Sequence, residues 1–146
     1  MSQLDKRIIK FINEHHVLTL ATVNNNKPYC ANCFYVYLEE YNCLVFTSDE
    51  ETKHATDFMS SSYVAGSIVL ETKIVYKIQG IQFNGYVRRP DKDLLKFAKK
   101  RYLKKFPIAN IMKTDLWILD LSFIKMTHNM LGFGNKLIWE KKVIDH

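Results

Sequence analysis

The stretch "VLTLATVNNNKPYCANCFYVYLEEYNCLVFTS", residues 17 to 48, constrains this chain more than any other. Its runs of β-branched and aromatic residues are separated only by "NNNKP" and by a short turn around Glu40 to Asn42. Parallel neighbours need a crossover of about a dozen residues or more, and neither gap holds one. These runs therefore predict an antiparallel meander of strands, around which the remainder of the chain has to fold.

Ahead of the meander, Leu4, Ile8, Ile9, Phe11 and Ile12 recur at helical spacing and predict a short amphipathic helix over 3–14. Behind it, "DEETKHATDFMSSS" predicts a helix, "YVAGSIVLE" a strand, and "KIVYKIQGIQFNGYVRRP" a long strand stopped by Pro90. Gly80 and Gly85 inside that strand mark a bulge, a bend or a close backbone approach. "DKDLLKFAKKRYLKKF" predicts a helix with Leu94, Leu95, Ala98, Tyr102 and Phe106 near one stripe. "LWILDLSFIKMTH" and "NKLIWEKK" are the last strands, flanking "NMLGFG". Six or seven strands with three helices, and no regular strand–helix alternation, argue against a doubly wound parallel sheet. The fold class expected is mainly β, α+β, a small antiparallel barrel with flanking helices. A length of 146 residues without linker or repeat predicts a single domain over 1–146.

Composition narrows the function classes. With 47% apolar and 25% charged residues the chain is ordinary globular material. No apolar run reaches the roughly 18 residues of a membrane span, and "MSQLDKRIIKFINEHH" lacks a signal-peptide core. A cytoplasmic protein without membrane contact is the expectation. A net charge of +6 permits an anionic ligand but is too mild to demand nucleic acid. Lys96, Lys99, Lys100, Arg101, Lys104 and Lys105 read as the solvated face of the last helix. Cys30 and Cys33 form a C-x-x-C, but in a strand, where residues three apart face opposite sides, and no second pair completes a zinc site. His15, His16, His54, His128 and His146 are scattered, so no metal site is expected.

The segment "FTSDEETKHATDF", residues 46 to 58, runs from a strand end into a helix. Ser48 or Asp49 can cap that helix, with Glu51 three after Ser48 as in a capping box. Lys53 does not fit, since a cation in a first turn opposes the helix dipole. A bound anion would remove the conflict, and hydroxyls, one lysine and free backbone N–H groups suit a phosphate monoester.

Taken in order, "HVLTLATV", "YCANCFYVY", "FTSDEETKHA", "IQGIQFNGYVRR", "KKFPIA" and "LWILDLSFIKMTHNMLGFGNKLIW" resemble the pyridoxamine 5′-phosphate oxidase-like family of FMN-binding split barrels. The resemblance runs along nearly the whole chain and lies nearest the YhbP-like group of that family. It implies a six-stranded antiparallel split β-barrel that forms a homodimer, with FMN at the interface and hydride transfer to a small organic substrate. By position it assigns Ala31, Asn32, Cys33 and Phe34 to the flavin ring and ribityl chain, largely through backbone groups. Phe46 and Thr47 would lie against the cofactor. Thr52 and Lys53 match an Arg-Lys pair on the FMN phosphate, and the threonine loses a bidentate contact there, which implies weak FMN retention. Gln79 or Gln82 matches a glutamine reaching the flavin across the dimer. Trp117, Phe133 and Trp139 are candidate walls, with core packing the competing role for both tryptophans. The Arg- and His-bearing end of true pyridoxamine phosphate oxidases is missing, so the vitamin substrate is not expected. Two alternatives share the barrel. One is a flavin-binding module without turnover, and the other is a haem-binding or haem-degrading barrel with His128 or His146 as axial ligand.

Overall fold

The computed structural model describes residues 4–111, 114–132 and 134–142. Its strands are β1 (Val17–Asn24), β2 (Lys27–Leu38), β3 (Cys43–Ser48), β4 (Tyr63–Val69), β5 (Gln79–Arg88), β6 (Asp115–His128) and β7 (Lys136–Glu140). The helices are α1 (Lys6–Glu14), α2 (Lys53–Ser60) and α3 (Lys92–Lys105).

The meander forms as its short turns require. β1 and β2 pair antiparallel from Val17↔Phe34 to Asn24↔Lys27. Asn25 and Asn26 turn the chain with φ of 51° and 60°. Both are the left-handed conformations that a two-residue type I′ hairpin demands and asparagine tolerates. β3 returns along β2 over Tyr35–Leu38 only, and also pairs with β6 over Asp115–Asp120. The second pairing closes a six-stranded antiparallel barrel in the order β3-β2-β1-β4-β5-β6. β7 joins β6 farther along, over Phe123–Thr127.

β6 serves both partners because it bends. Its register with β5 slips between Asn84 and Gly85, with Ser122 as the extra residue. Trp117, Leu119 and Leu121 are buried before the slip, and Ile124 and Met126 after it, the change of parity a bulge produces. Gly85 makes room: a Cβ there would lie 2.3 Å from the Asp120 carbonyl oxygen. β5 is shorter than its sequence suggests, since Val75–Lys77 is a 3-10 turn. Ile74, Val75 and Tyr76 are exposed, so their β-propensity finds no sheet surface to fit.

The barrel interior holds Leu18, Leu20, Tyr35, Leu44, Phe46, Ile68, Ile81 and Phe83. Ile8, Phe11 and Ile12 of α1 and Ala55 and Phe58 of α2 join the same core. α3 packs outside it, with Leu94, Ala98 and Tyr102 against Val36, Leu38, Val45 and Ile118. Lys105 anchors the last turn of α3, its Nζ donating to the carbonyl oxygens of His15 and Tyr35 at 2.8 and 3.0 Å. Among the described residues the outer face of β1, β4 and β5 stays uncovered, with Val17, Val23, Tyr63, Val69 and Tyr86 all exposed. No helix among the described residues is long and apolar enough to cross a membrane.

Candidate functional site

β3 ends at Ser48 and α2 starts at Lys53, with a polar turn between them. The cap is Thr52, correcting the sequence-based choice of Ser48 or Asp49. Thr52 Oγ1 accepts the Ala55 N–H at 3.3 Å. Ser48 cannot take that part because its backbone is paired with Asp115 in the sheet and its hydroxyl is hydrogen-bonded to His54 Nε2. Asp49 shapes the turn instead, accepting the Glu51 N–H at 2.9 Å. Burial holds the His54 pKa below its ordinary value, against the pull of Asp57.

Lys53 is satisfied from within the fold. Its Nζ lies 3.1 Å from each Asp57 carboxylate oxygen and 5.0 Å from the centroid of the Tyr29 ring. Asp57 is 1% exposed and also accepts the Thr22 hydroxyl at 2.9 Å. Burial pushes the Asp57 carboxyl up, but hydrogen bonds from Thr22, Lys53 and Asn24 and the lysine's charge outweigh it. The net result is a pKa below the ordinary 3.8. Sequence reasoning missed Asp57 as the partner, although the i,i+4 spacing from Lys53 is a legible signal. Half of the Lys53 side chain still faces solvent.

The first half of β2 offers the second component. Tyr35 donates its N–H to His16 O, so its backbone polar groups point toward β1. Antiparallel alternation then turns those of Asn32 and Cys30 to the opposite edge. β3 pairs with β2 no earlier than Tyr35, and no other described strand lies on that edge. The open edge runs past Tyr29, the residue beneath Lys53.

The remaining sequence-derived residues are distributed more widely. Ala31 is partly buried, Asn32 and Phe34 are exposed, and Cys33 is buried, its thiol pushed up by burial to about 11. Phe46 is fully buried against Phe58 and Trp117. Thr47 faces α3, with Oγ1 3.1 Å from Tyr102 Oη. Gln82 belongs to the outer face, in a cross-strand row running Asn32, Thr19, Ser67, Gln82. Three strand spacings put it roughly 14 Å from Asn32 in the same chain. Gln79 pairs with His128 at the end of β5. Both glutamines line a shallow groove of about 270 Å³ with Ser67, Val69, Ile78 and Thr127.

Trp117 is a core residue, its Nε1 donating to Ser48 O at 3.0 Å while the Arg89 guanidinium stacks 4.1 Å from the ring centroid. Trp139 packs half-buried against the same core. His128 Nδ1 is buried without a hydrogen-bond partner. Phe133 and His146 lie outside the described residues. Among the described residues no cluster of His, Cys, Asp and Glu could hold a metal ion.

Comparison with known proteins identifies relatives and neighbours. No family model matches the chain. A UPF0306 protein of Photorhabdus laumondii is 38% identical over 134 residues, covering 92% of this chain and 94% of the relative. Among solved structures, a heme binding protein from Mycobacterium smegmatis superposes with a TM-score of 0.78 at 16% identity. The match covers 94% of this chain and only 59% of that one. An FAD-binding protein from Mesorhizobium loti superposes with a TM-score of 0.67 at 14% identity, over 84% of this chain and 94% of its own. At such identities these likenesses establish the split-barrel fold alone.

Proposed function

The chain belongs to the UPF0306 family, and from that premise and the geometry above we propose that it binds FMN and acts as an oxidoreductase of the pyridoxamine 5′-phosphate oxidase-like kind. The observation that carries this reading is the open edge of β2 beside Lys53. A flavin ring presents alternating donors and acceptors along its pyrimidine edge, and the unpaired N–H and C=O groups of Asn32 and Cys30 are chemically matched to them. A ribityl phosphate leaving that edge toward Tyr29 and the start of α2 would come to Lys53, whose Nζ lies 5.0 Å from the Tyr29 ring centroid. The residues present fit the group at its ring end best.

A bound flavin would supply hydride or electron transfer. The chain's part is to hold the ring edge, exclude water and position a substrate. Gln82 is too far from Asn32 to meet the same ring within one chain, which supports a homodimer in which it reaches the partner's cofactor. The substrate is a small molecule; no general acid or base in the described site assigns its class.

The haem reading has one observation in its favour, the orphaned Nδ1 of His128. An absorption spectrum of the purified protein separates the two, since flavin gives two bands in the near-ultraviolet and blue and haem a Soret band. Uptake of added FMN with a shifted spectrum is the expected result. Failure to take up FMN, together with a Soret band lost in His128→Ala, overturns the flavin reading. Oxidation of reduced nicotinamide no faster than with free flavin would leave a binding module without turnover.

A further inference from the structure

We propose that Asp57 sets the ligand class of this site by occupying Lys53, so that the site selects flavins through the ring and separates FMN from riboflavin by less than about tenfold. The inference rests on the flavin reading above and sharpens which part of the cofactor is recognised.

Each side chain of the turn that could donate to a phosphate at the start of α2 has another task. Thr52 Oγ1 donates to Asp49 O at 2.7 Å and accepts from Ala55 at 3.3 Å, holding the cap. Ser48 Oγ is turned inward to His54. Arg89, which reaches this turn from the end of β5, is engaged by Glu50 and by Asp115. Lys53 remains, and both oxygens of Asp57 hold it.

That pairing is hard to break because the two ends differ in exposure. The lysine can swing into water at little cost, but the carboxylate cannot follow. If Lys53 left for a phosphate, Asp57 would stay buried with its charge matched only by Thr22 and Asn24, and an uncompensated buried charge is strongly unfavourable. An incoming phosphate would also meet Asp49, Glu50 and Glu51, all exposed in the same turn. Lys53 is thus matched by Asp57 before any ligand arrives, the exposed acids leave the turn net negative, and a dianion gains little there. The ring end differs. Backbone groups on the β2 edge carry no competing partner strand, and riboflavin and FMN present them with the same ring.

The test is a pair of dissociation constants, for riboflavin and for FMN, measured by quenching of flavin fluorescence in wild type, Lys53→Met and Asp57→Asn. Wild type is expected to bind both within about tenfold, and Lys53→Met to leave that ratio unchanged. Asp57→Asn keeps a hydrogen-bonding side chain for Thr22 but frees the lysine, so FMN should tighten by about ten- to hundredfold, the worth of one charge-assisted hydrogen bond, with riboflavin unmoved. If either variant does not fold, the wild-type ratio of the two constants decides alone. A wild-type preference for FMN above tenfold overturns the inference while the flavin reading stands. Binding of neither flavin overturns both.

Discussion

A carboxylate that is 1% exposed stays ionised in this protein because Lys53, Thr22 and Asn24 surround it. A group whose folded pKa is depressed contributes stability above its unfolded pKa and loses it as pH falls through the folded value. For Asp57 that places the loss below the ordinary carboxylate value of 3.8. Urea midpoints of wild type should drop as pH is lowered into that range, and Asp57→Asn should show a shallower drop. Equal acid slopes would exclude the role. Sequence alone exposed the anomaly at Lys53 and answered it with an external anion, where the structure places the Asp57 carboxylate against it. The partner lay four residues on, whereas Thr22 and Asn24 came from another strand and could not have been paired with it without the fold.

At the level of elements, β-structure was legible wherever turns were short. The β1–β2 hairpin follows from its asparagines, and the antiparallel meander from the lack of room for a crossover. The start of α2 was misplaced because cap signals are local, while Ser48 answers to its ladder with Asp115. β5 was overextended because propensity does not report whether a sheet surface exists to pack on. Gly85 was flagged correctly, and its reason is specific: the Asp120 carbonyl oxygen occupies the space of a Cβ at 2.3 Å. Gly85→Ala should therefore cost about 1–3 kcal/mol as an overpacked site. Gly80→Ala, whose Cβ would stand 3.3 Å from Ile68 O, should cost less. Denaturant unfolding of the two variants checks the order. α2 is held by Phe58, in edge contact with Phe46 and Trp117 at 5.9 and 4.6 Å. Phe58→Ala should cost about 3–5 kcal/mol.

For the whole molecule, the uncovered face of β1, β4 and β5 sets the expected assembly. Its middle carries the small residues Thr19, Ala21, Ala65 and Ser67, flanked by exposed Val17, Val69, Tyr63 and Tyr86. Such a face lets a second sheet approach closely. The homodimer we propose should sediment at twice the 17.2 kDa chain mass, and Val17→Asp should give a monomer that binds flavin poorly. A Val17→Asp protein that stays dimeric would place the interface elsewhere.

What the chain disclosed unaided was pattern with a short range: strand periods, hairpin asparagines, the amphipathic helices, and an unexplained lysine at a helix start. These depend on neighbours within a few residues. Barrel closure, the bulge parity of β6, the open edge of β2 and the Asp57 cluster depend on which strands meet across the sheet. Only the tertiary structure decides those, because a strand edge is open or filled, and a charge free or matched, according to partners far away in sequence.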